Sequence, residues 1–219
     1  MMHTLEDCKN QAVKMAQEIY QEGLFFSTWG NLSCRFAPQQ VVITPSGIPY
    51  DELQPPDMAV VNLNGQVEPC RCKPSTELLL HLEIYQARAD VRAIIHTHSK
   101  FATVFAVARR EIATVTEEMA QLFGGDVPVA AYALPGTREL AARAVEALGA
   151  QGYGALLANH GVVCVGQTLE EALQRCQVLE RSAEILLWSH LLGEPFRLPP
   201  EEIKTLRENF LKYYGQGKE

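Results

Sequence analysis

No stretch of apolar residues in this chain approaches the roughly 20 needed to cross a bilayer, so no membrane partner is expected. No cluster of lysine and arginine stands out either. With 19 basic against 26 acidic residues the formal net charge is −7, and nucleic acid is not expected as a partner. A small anionic substrate stays compatible with that balance, because a local site can oppose the global sign. The opening residues, Met1-Met2-His3-Thr4-Leu5-Glu6-Asp7, lack the basic and apolar regions of a signal peptide, and a cytoplasmic location is expected. A disulfide framework is missing too. Cys8, Cys34, Cys164 and Cys176 are scattered among apolar neighbours. Cys70 and Cys72 form a Cys-x-Cys in a polar loop with no second pair to complete a structural zinc site. All six are expected to be reduced thiols, with a redox role for the Cys70/Cys72 pair as the alternative.

What is present is ordinary for a globular protein with a sizeable core: 219 residues, 47% hydrophobic and 21% charged. No internal repeat, linker or low-complexity segment divides the chain, and a single domain over residues 1–219 is expected. Leu5, Cys8, Ala12, Met15, Ala16 and Ile19 recur at helical spacing up to a stop at Gly23. Thr28-Trp29-Gly30-Asn31 reads as a tight turn before a strand, Leu32–Phe36, paired with a second at residues 41–44. A short helical turn is expected at residues 51–53. Met58–Leu63 is a further strand, closed by Asn64-Gly65 as a type I′ hairpin turn. A helix capped by Ser75 or Thr76 runs to about Ala89, and a strand Ala93–His98 follows. Ser99 caps the next helix, to Arg109 or Arg110. A strand Val127–Tyr132, a helix from Gly136-Thr137 to Leu148, and strands at 155–158 and 162–165 come next. A long helix capped by Thr168 ends near His190, and a last one, Pro200–Tyr214, leads into a polar tail. Short strands in quick succession predict an α/β fold with a mainly antiparallel sheet covered by helices.

The chemistry collects at strand ends. His96 and His98 are two residues apart on a strand, so both side chains face one way, with Cα atoms about 6–7 Å apart. His160 ends a second buried strand, directly before Gly161. Three imidazoles at strand ends match an open metal site, three ligands with a position left for substrate. His81 and His190, alone on helices, read as hydrogen-bonded structural histidines. Glu77 lies at the start of a helix that the chain then retraces, which brings it towards the histidines as an acid/base. A first-turn glutamate is also an ordinary complement to the helix dipole, and both readings stand at this point. Gly30-Asn31, Ser46-Gly47 and Ser75-Thr76 offer backbone N–H groups, hydroxyls and a helix N-terminus suited to a phosphate. Each of these pieces alone is ordinary turn or capping chemistry.

Taken in order, Thr28-x-Gly30-Asn31-x-Ser33, Ile43-Thr44-Pro45-Ser46-Gly47, Pro74-Ser75-Thr76-Glu77, His96-Thr97-His98 and Asn159-His160-Gly161 resemble the class II aldolase/adducin family from about residue 5 to the C-terminal tail. The resemblance implies a three-layer α/β/α sandwich with a central, mainly antiparallel sheet. It also implies a homotetramer with active sites between subunits. It makes His96, His98 and His160 ligands of one Zn2+, or of another divalent ion. Glu77 becomes the proton-moving residue, and Asn31, Ser46, Gly47, Ser75 and Thr76 the phosphate-binding set. It places a catalytic tyrosine in the tail, where Lys212-Tyr213-Tyr214-Gly215 matches best at Tyr214. The implied reaction is zinc-dependent retro-aldol cleavage of a ketose 1-phosphate of the L-fuculose 1-phosphate type, giving dihydroxyacetone phosphate and a small aldehyde. One departure stands out. The stretch Thr114–Met119, where the family draws a second tyrosine from a neighbouring subunit, has Glu117 and Glu118 instead. Glu118 either replaces that proton donor or marks another reaction of the superfamily: 4-epimerisation of a pentulose 5-phosphate, dehydration of methylthioribulose 1-phosphate, or decarboxylation of a phosphorylated sugar acid. A non-catalytic adducin-like interaction module, or a purely structural zinc, are the readings of another class.

Overall fold

The valine- and isoleucine-rich runs form a single seven-stranded sheet in the computed structural model, which describes residues 4–214. Its strands are β1 (Asn31–Ala37), β2 (Gln40–Ile43), β3 (Ala59–Asn62), β4 (Ala93–Thr97), β5 (Val129–Ala130), β6 (Gly154–Leu157) and β7 (Gly161–Gly166). They lie in the order β3-β2-β1-β4-β7-β6-β5, and only the β5–β6 pair is parallel. Alternation along each strand divides the core in two. Leu32, Val42, Ile95, Val162 and Cys164 pack under α1 (Leu5–Gln21), α3 (Lys100–Ala108), α4 (Glu117–Phe123) and α6 (Leu169–Ser189). Val41, Ile43, Ile94, Val163 and Val165 pack under α2 (Leu78–Ala87) and α5 (Arg138–Leu148) on the opposite face. The result is the expected α/β/α sandwich, with α7 (Pro200–Tyr213) lying outside against α4. No helix among the described residues is long and apolar enough to cross a membrane.

Caps explain most helix starts. Thr4, Thr116, Thr137 and Thr168 each accept a backbone N–H three residues on, and Thr4 and Asp7 form a reciprocal capping box. α3 departs from the sequence reading, since Ser99 stands at the cap position without capping. Glu180 of α6 accepts the Phe101 and Ala102 N–H groups at 2.7 and 2.8 Å instead. α2 departs as well. It begins at Leu78 with Glu77 at its cap position, one or two residues later than a Thr76 or Ser75 cap implies, because Ser75 Oγ accepts the Glu77 N–H within a turn. The turn at Asn64-Gly65 is not type I′, which needs positive φ at both residues. Only Gly65 is left-handed (φ +91°), closing a three-residue loop in which Asn62 donates to the Gln66 carbonyl. β5 is shorter than the 127–132 strand expected, because Pro128 has no N–H to pair and the strand lies at the sheet edge. The strands around His160 form a hairpin, and α4 is a helix the sequence reading lacks. Gly215 and the polar tail after it lie outside the described residues, as do Met1, Met2 and His3.

Candidate metal centre

β4 carries Ile94 and His96 on the α2 face, and His98 follows immediately beyond the strand. His160 comes from the turn joining β6 to β7, where Asn159 takes a left-handed φ of +57° and His160 N–H closes onto the Leu157 carbonyl. β7 pairs with β4 in the register Thr97 to Val162, so this turn folds back directly over the histidines. Glu77, at the head of α2, extends its carboxylate under the same group. Its Oε2 is 2.9 Å from His96 Nε2 and its Oε1 is 3.3 Å from His160 Nε2. His96 Nε2 and His98 Nε2 are 3.0 Å apart. The three rings stand nearly edge-on to one another, with centroids 4.7 to 4.9 Å apart.

These distances suit a single ion. Four ligand atoms held at 2.0–2.1 Å around a tetrahedral zinc are separated by about 3.3–3.4 Å. The separations of 2.9, 3.0 and 3.3 Å are close to that edge, and all four ligand atoms lie within 4.8 Å of each other. The chemistry of the donors agrees. His96 Nδ1–H donates to the Val162 carbonyl at 2.9 Å, which leaves the Nε2 lone pair aimed at the other ligands. Burial and the neighbouring imidazoles push His98 down to about 3 and His160 down to about 4, so both are neutral. Burial also lowers His96, but the Glu77 carboxylate outweighs it and raises the group. Glu77 itself is raised by burial, yet His96, His160 and the Asn31 amide together hold it well below the usual carboxylate range. The site is a ring of imidazole nitrogen donors with one ionised carboxylate.

The candidate phosphate loops also meet. Ser46 N–H donates to the Lys73 carbonyl, Ser75 N–H to the Thr44 carbonyl, and Pro45 bridges to Pro74. Ser46-Gly47 and Ser75-Thr76 are thereby held side by side next to Glu77. Gly47, at φ +74°, has nothing within 4 Å of where a Cβ would sit, so the loop is open there. Asn31 is different: its buried side chain turns to Glu77, with Nδ2 donating to Oε2 at 3.0 Å. Two other sequence candidates are not brought to the cluster. Glu118 is exposed in the first turn of α4, and no hydrogen bond or ion pair among the described residues joins it to the histidines. Tyr214 stacks on Phe210 at 4.7 Å and borders a cleft with Val91 and Gly166, at the end of β4 and β7 opposite His96. Sequence reading passed over Trp29, whose exposed ring lies parallel to His98 at 6.4 Å and stacks on Phe26.

Residues 10–187 match the family described as the Class II Aldolase and Adducin N-terminal domain. The chain belongs to this family. It is 34% identical over 213 residues to a 5-deoxy-D-ribulose 1-phosphate aldolase of Bacillus thuringiensis serovar kurstaki, covering 97% of this chain and 99% of the relative. It is 36% identical over 205 residues to a 5-methylthioribulose-1-phosphate/5-deoxyribulose-1-phosphate aldolase of Rhodospirillum rubrum, covering 94% and 91%. A solved L-fuculose 1-phosphate aldolase superposes with a TM-score of 0.91 at 37% identity, covering 96% of this chain and 98% of that one. Within the class II aldolase/adducin family the chain therefore stands with the aldolases, and it is an enzyme of that carbon–carbon lyase type.

Proposed function

We propose that the chain cleaves a ketose 1-phosphate by a retro-aldol reaction, giving dihydroxyacetone phosphate and a small aldehyde. The observation that carries the reading is the convergence of His96, His98, His160 and Glu77 beside two adjoining donor loops. His96, His98 and His160 would hold a divalent ion, zinc by the nitrogen-rich donor set. Bound there, the ion supplies Lewis acidity to the substrate's carbonyl and neighbouring hydroxyl oxygens. Ser46, Ser75 and Thr76 hold the phosphate through their hydroxyls, and Gly47 and Thr76 through their backbone N–H groups, with the remaining Asn31 amide hydrogen directed to substrate. Glu77 moves the proton at C3 of the dihydroxyacetone phosphate half, delivering it on cleavage and removing it on condensation. The hydroxyl proton on the aldehyde side goes to Tyr214 of a neighbouring subunit or to Glu118. The working unit is a cytoplasmic homotetramer of single-domain subunits over residues 1–219. Its relatives' names supply the test panel: L-fuculose 1-phosphate, 5-deoxyribulose 1-phosphate and 5-methylthioribulose 1-phosphate. Release of dihydroxyacetone phosphate from one of them by zinc-loaded protein, abolished by chelation and restored by zinc, is the expected result. An epimerised, dehydrated or decarboxylated product with no dihydroxyacetone phosphate would move the chain to one of those reactions, which Glu117 and Glu118 in place of a tyrosine favour.

A further inference from the structure

Behind Glu77 lies a chain of buried polar groups that metal ligation does not require. Glu77, His81 and Tyr85 follow one another at four-residue spacing along a single stripe of α2. Asn31 and Ser33, two apart on β1, face that stripe. Asn31 Nδ2 lies 3.0 Å from Glu77 Oε2, and His81 Nε2 lies 2.5 Å from Asn31 Oδ1. His81 Nδ1 is 2.6 Å from Ser33 Oγ, and the Tyr85 hydroxyl reaches Ser33 Oγ at 2.9 Å and the Ser33 carbonyl at 3.1 Å. All four supporting side chains are buried, His81 and Ser33 completely.

The direction of every hydrogen in this chain follows from its last member. An ionised carboxylate only accepts, so the Asn31 amide nitrogen must face Glu77 and its carbonyl oxygen must face His81. An amide oxygen only accepts, so His81 Nε2 carries the ring proton. His81 is fully buried and burial pushes it down to about 3, so the ring is neutral and Nδ1 is an acceptor, filled by the Ser33 hydroxyl. We propose that His81 is a positioning residue for the reaction: held in its Nε2–H form by Ser33, it locks the Asn31 amide, which aims the Glu77 carboxylate. This rests on the reading that Glu77 moves the C3 proton. Without His81, Asn31 is free to flip its amide, and Glu77 loses the donor that orients its carboxylate.

The test compares His81→Leu, which removes both ring nitrogens, with His81→Gln, whose amide nitrogen can stand near the Nε2 position. Each is measured for bound zinc, kcat, and exchange of the C3 hydrogens of dihydroxyacetone phosphate with D2O. His81→Leu should keep its zinc and lose roughly 10–100-fold in kcat and in exchange. His81→Gln should recover most of that loss. In zinc-free wild type, the 15N shifts of His81 should report the neutral Nε2–H tautomer. A His81→Leu protein with wild-type kcat and exchange, a His81→Gln protein no better than it, or an Nδ1–H tautomer would each overturn the proposal. Where His81→Leu does not fold, Ser33→Ala carries the test, with the same loss of kcat and exchange expected at smaller size and its absence decisive. A wild type that neither cleaves nor exchanges overturns the reading of Glu77 and this inference with it.

Discussion

A Cβ built on Gly161 would lie 2.3 Å from the Thr97 carbonyl oxygen, at the point where β7 begins beside the end of β4. The same Cβ would meet His98 Cδ2 at 3.2 Å and His96 Cε1 at 3.3 Å. Only glycine lets the β6–β7 turn close over the histidines and deliver His160 to them. Gly161→Ala should therefore cost about 1–3 kcal/mol by overpacking and also push His160 away from its neighbours. Zinc content by mass spectrometry and a thermal melt check both parts. Full zinc occupancy with an unchanged melting temperature would show that the close approach does not control the site.

Glu77 separates a catalytic site from a merely metal-binding one. It has no capping role, since its side chain makes no cap hydrogen bond to α2 and turns instead to His96, His160 and Asn31. Glu77→Gln keeps the shape while removing the proton acceptor. The expected fall in turnover is roughly 10²–10⁴-fold with zinc content and fold preserved. Near-normal turnover in a fully zinc-loaded mutant contradicts the mechanism.

Much of this was legible in the sequence because it depends on local chemistry. The first helix is announced by the spacing of Leu5 to Ile19 and two later ones by Thr137 and Thr168 at their starts, and the same-face pair His96/His98 follows from strand periodicity alone. His160 and Glu77 were readable as candidates, but their convergence depends on the β4–β7 register and on where α2 starts. The sequence does not determine either one locally. α4 went unread although its signals are there, Thr116 as a cap, Glu117 and Glu118 in the first turn, and Gly124 left-handed at the end. Seven residues are too few for periodicity to stand out, and the helix is held by burying Met119 and Leu122. His81 was read as a hydrogen-bonded structural histidine, and hydrogen-bonded it is. Its link to Glu77 becomes visible only when the four-residue spacing Glu77, His81, Tyr85 is set against Asn31 and Ser33 across the sheet.

Burial of neutral His81 has a consequence for acid stability. In the unfolded chain a histidine titrates near 6.5, whereas the buried ring is held down to about 3. Between those values the unfolded state binds one more proton, so stability is present above pH 6.5 and is lost as pH falls. The loss attributable to this residue is about 2 kcal/mol between pH 7 and pH 5. Urea unfolding of metal-free wild type and of His81→Gln at both pH values isolates it. The mutant's stability should fall by about that much less on acidification, and parallel curves would contradict a neutral buried ring.

Tyr214 stands at the end of the sheet opposite His96, so its own chain does not bring it to the cluster it resembles a partner for. If it serves catalysis, it does so in the site of a neighbouring subunit, and that geometry makes a prediction no single-chain site shares. Glu77→Gln and Tyr214→Phe proteins should each be impaired alone. Mixed, dissociated and reassembled, they should regain activity, because some sites then combine Glu77 from one subunit with Tyr214 from another. With random assembly of equal amounts about a quarter of sites are restored. Were both residues to act within one chain, every site in the mixture would lack one of them and activity would stay at the average of the two mutants. Measuring turnover before and after reassembly, with zinc content matched, distinguishes the two arrangements. Recovery to about a quarter of wild type is the expected result.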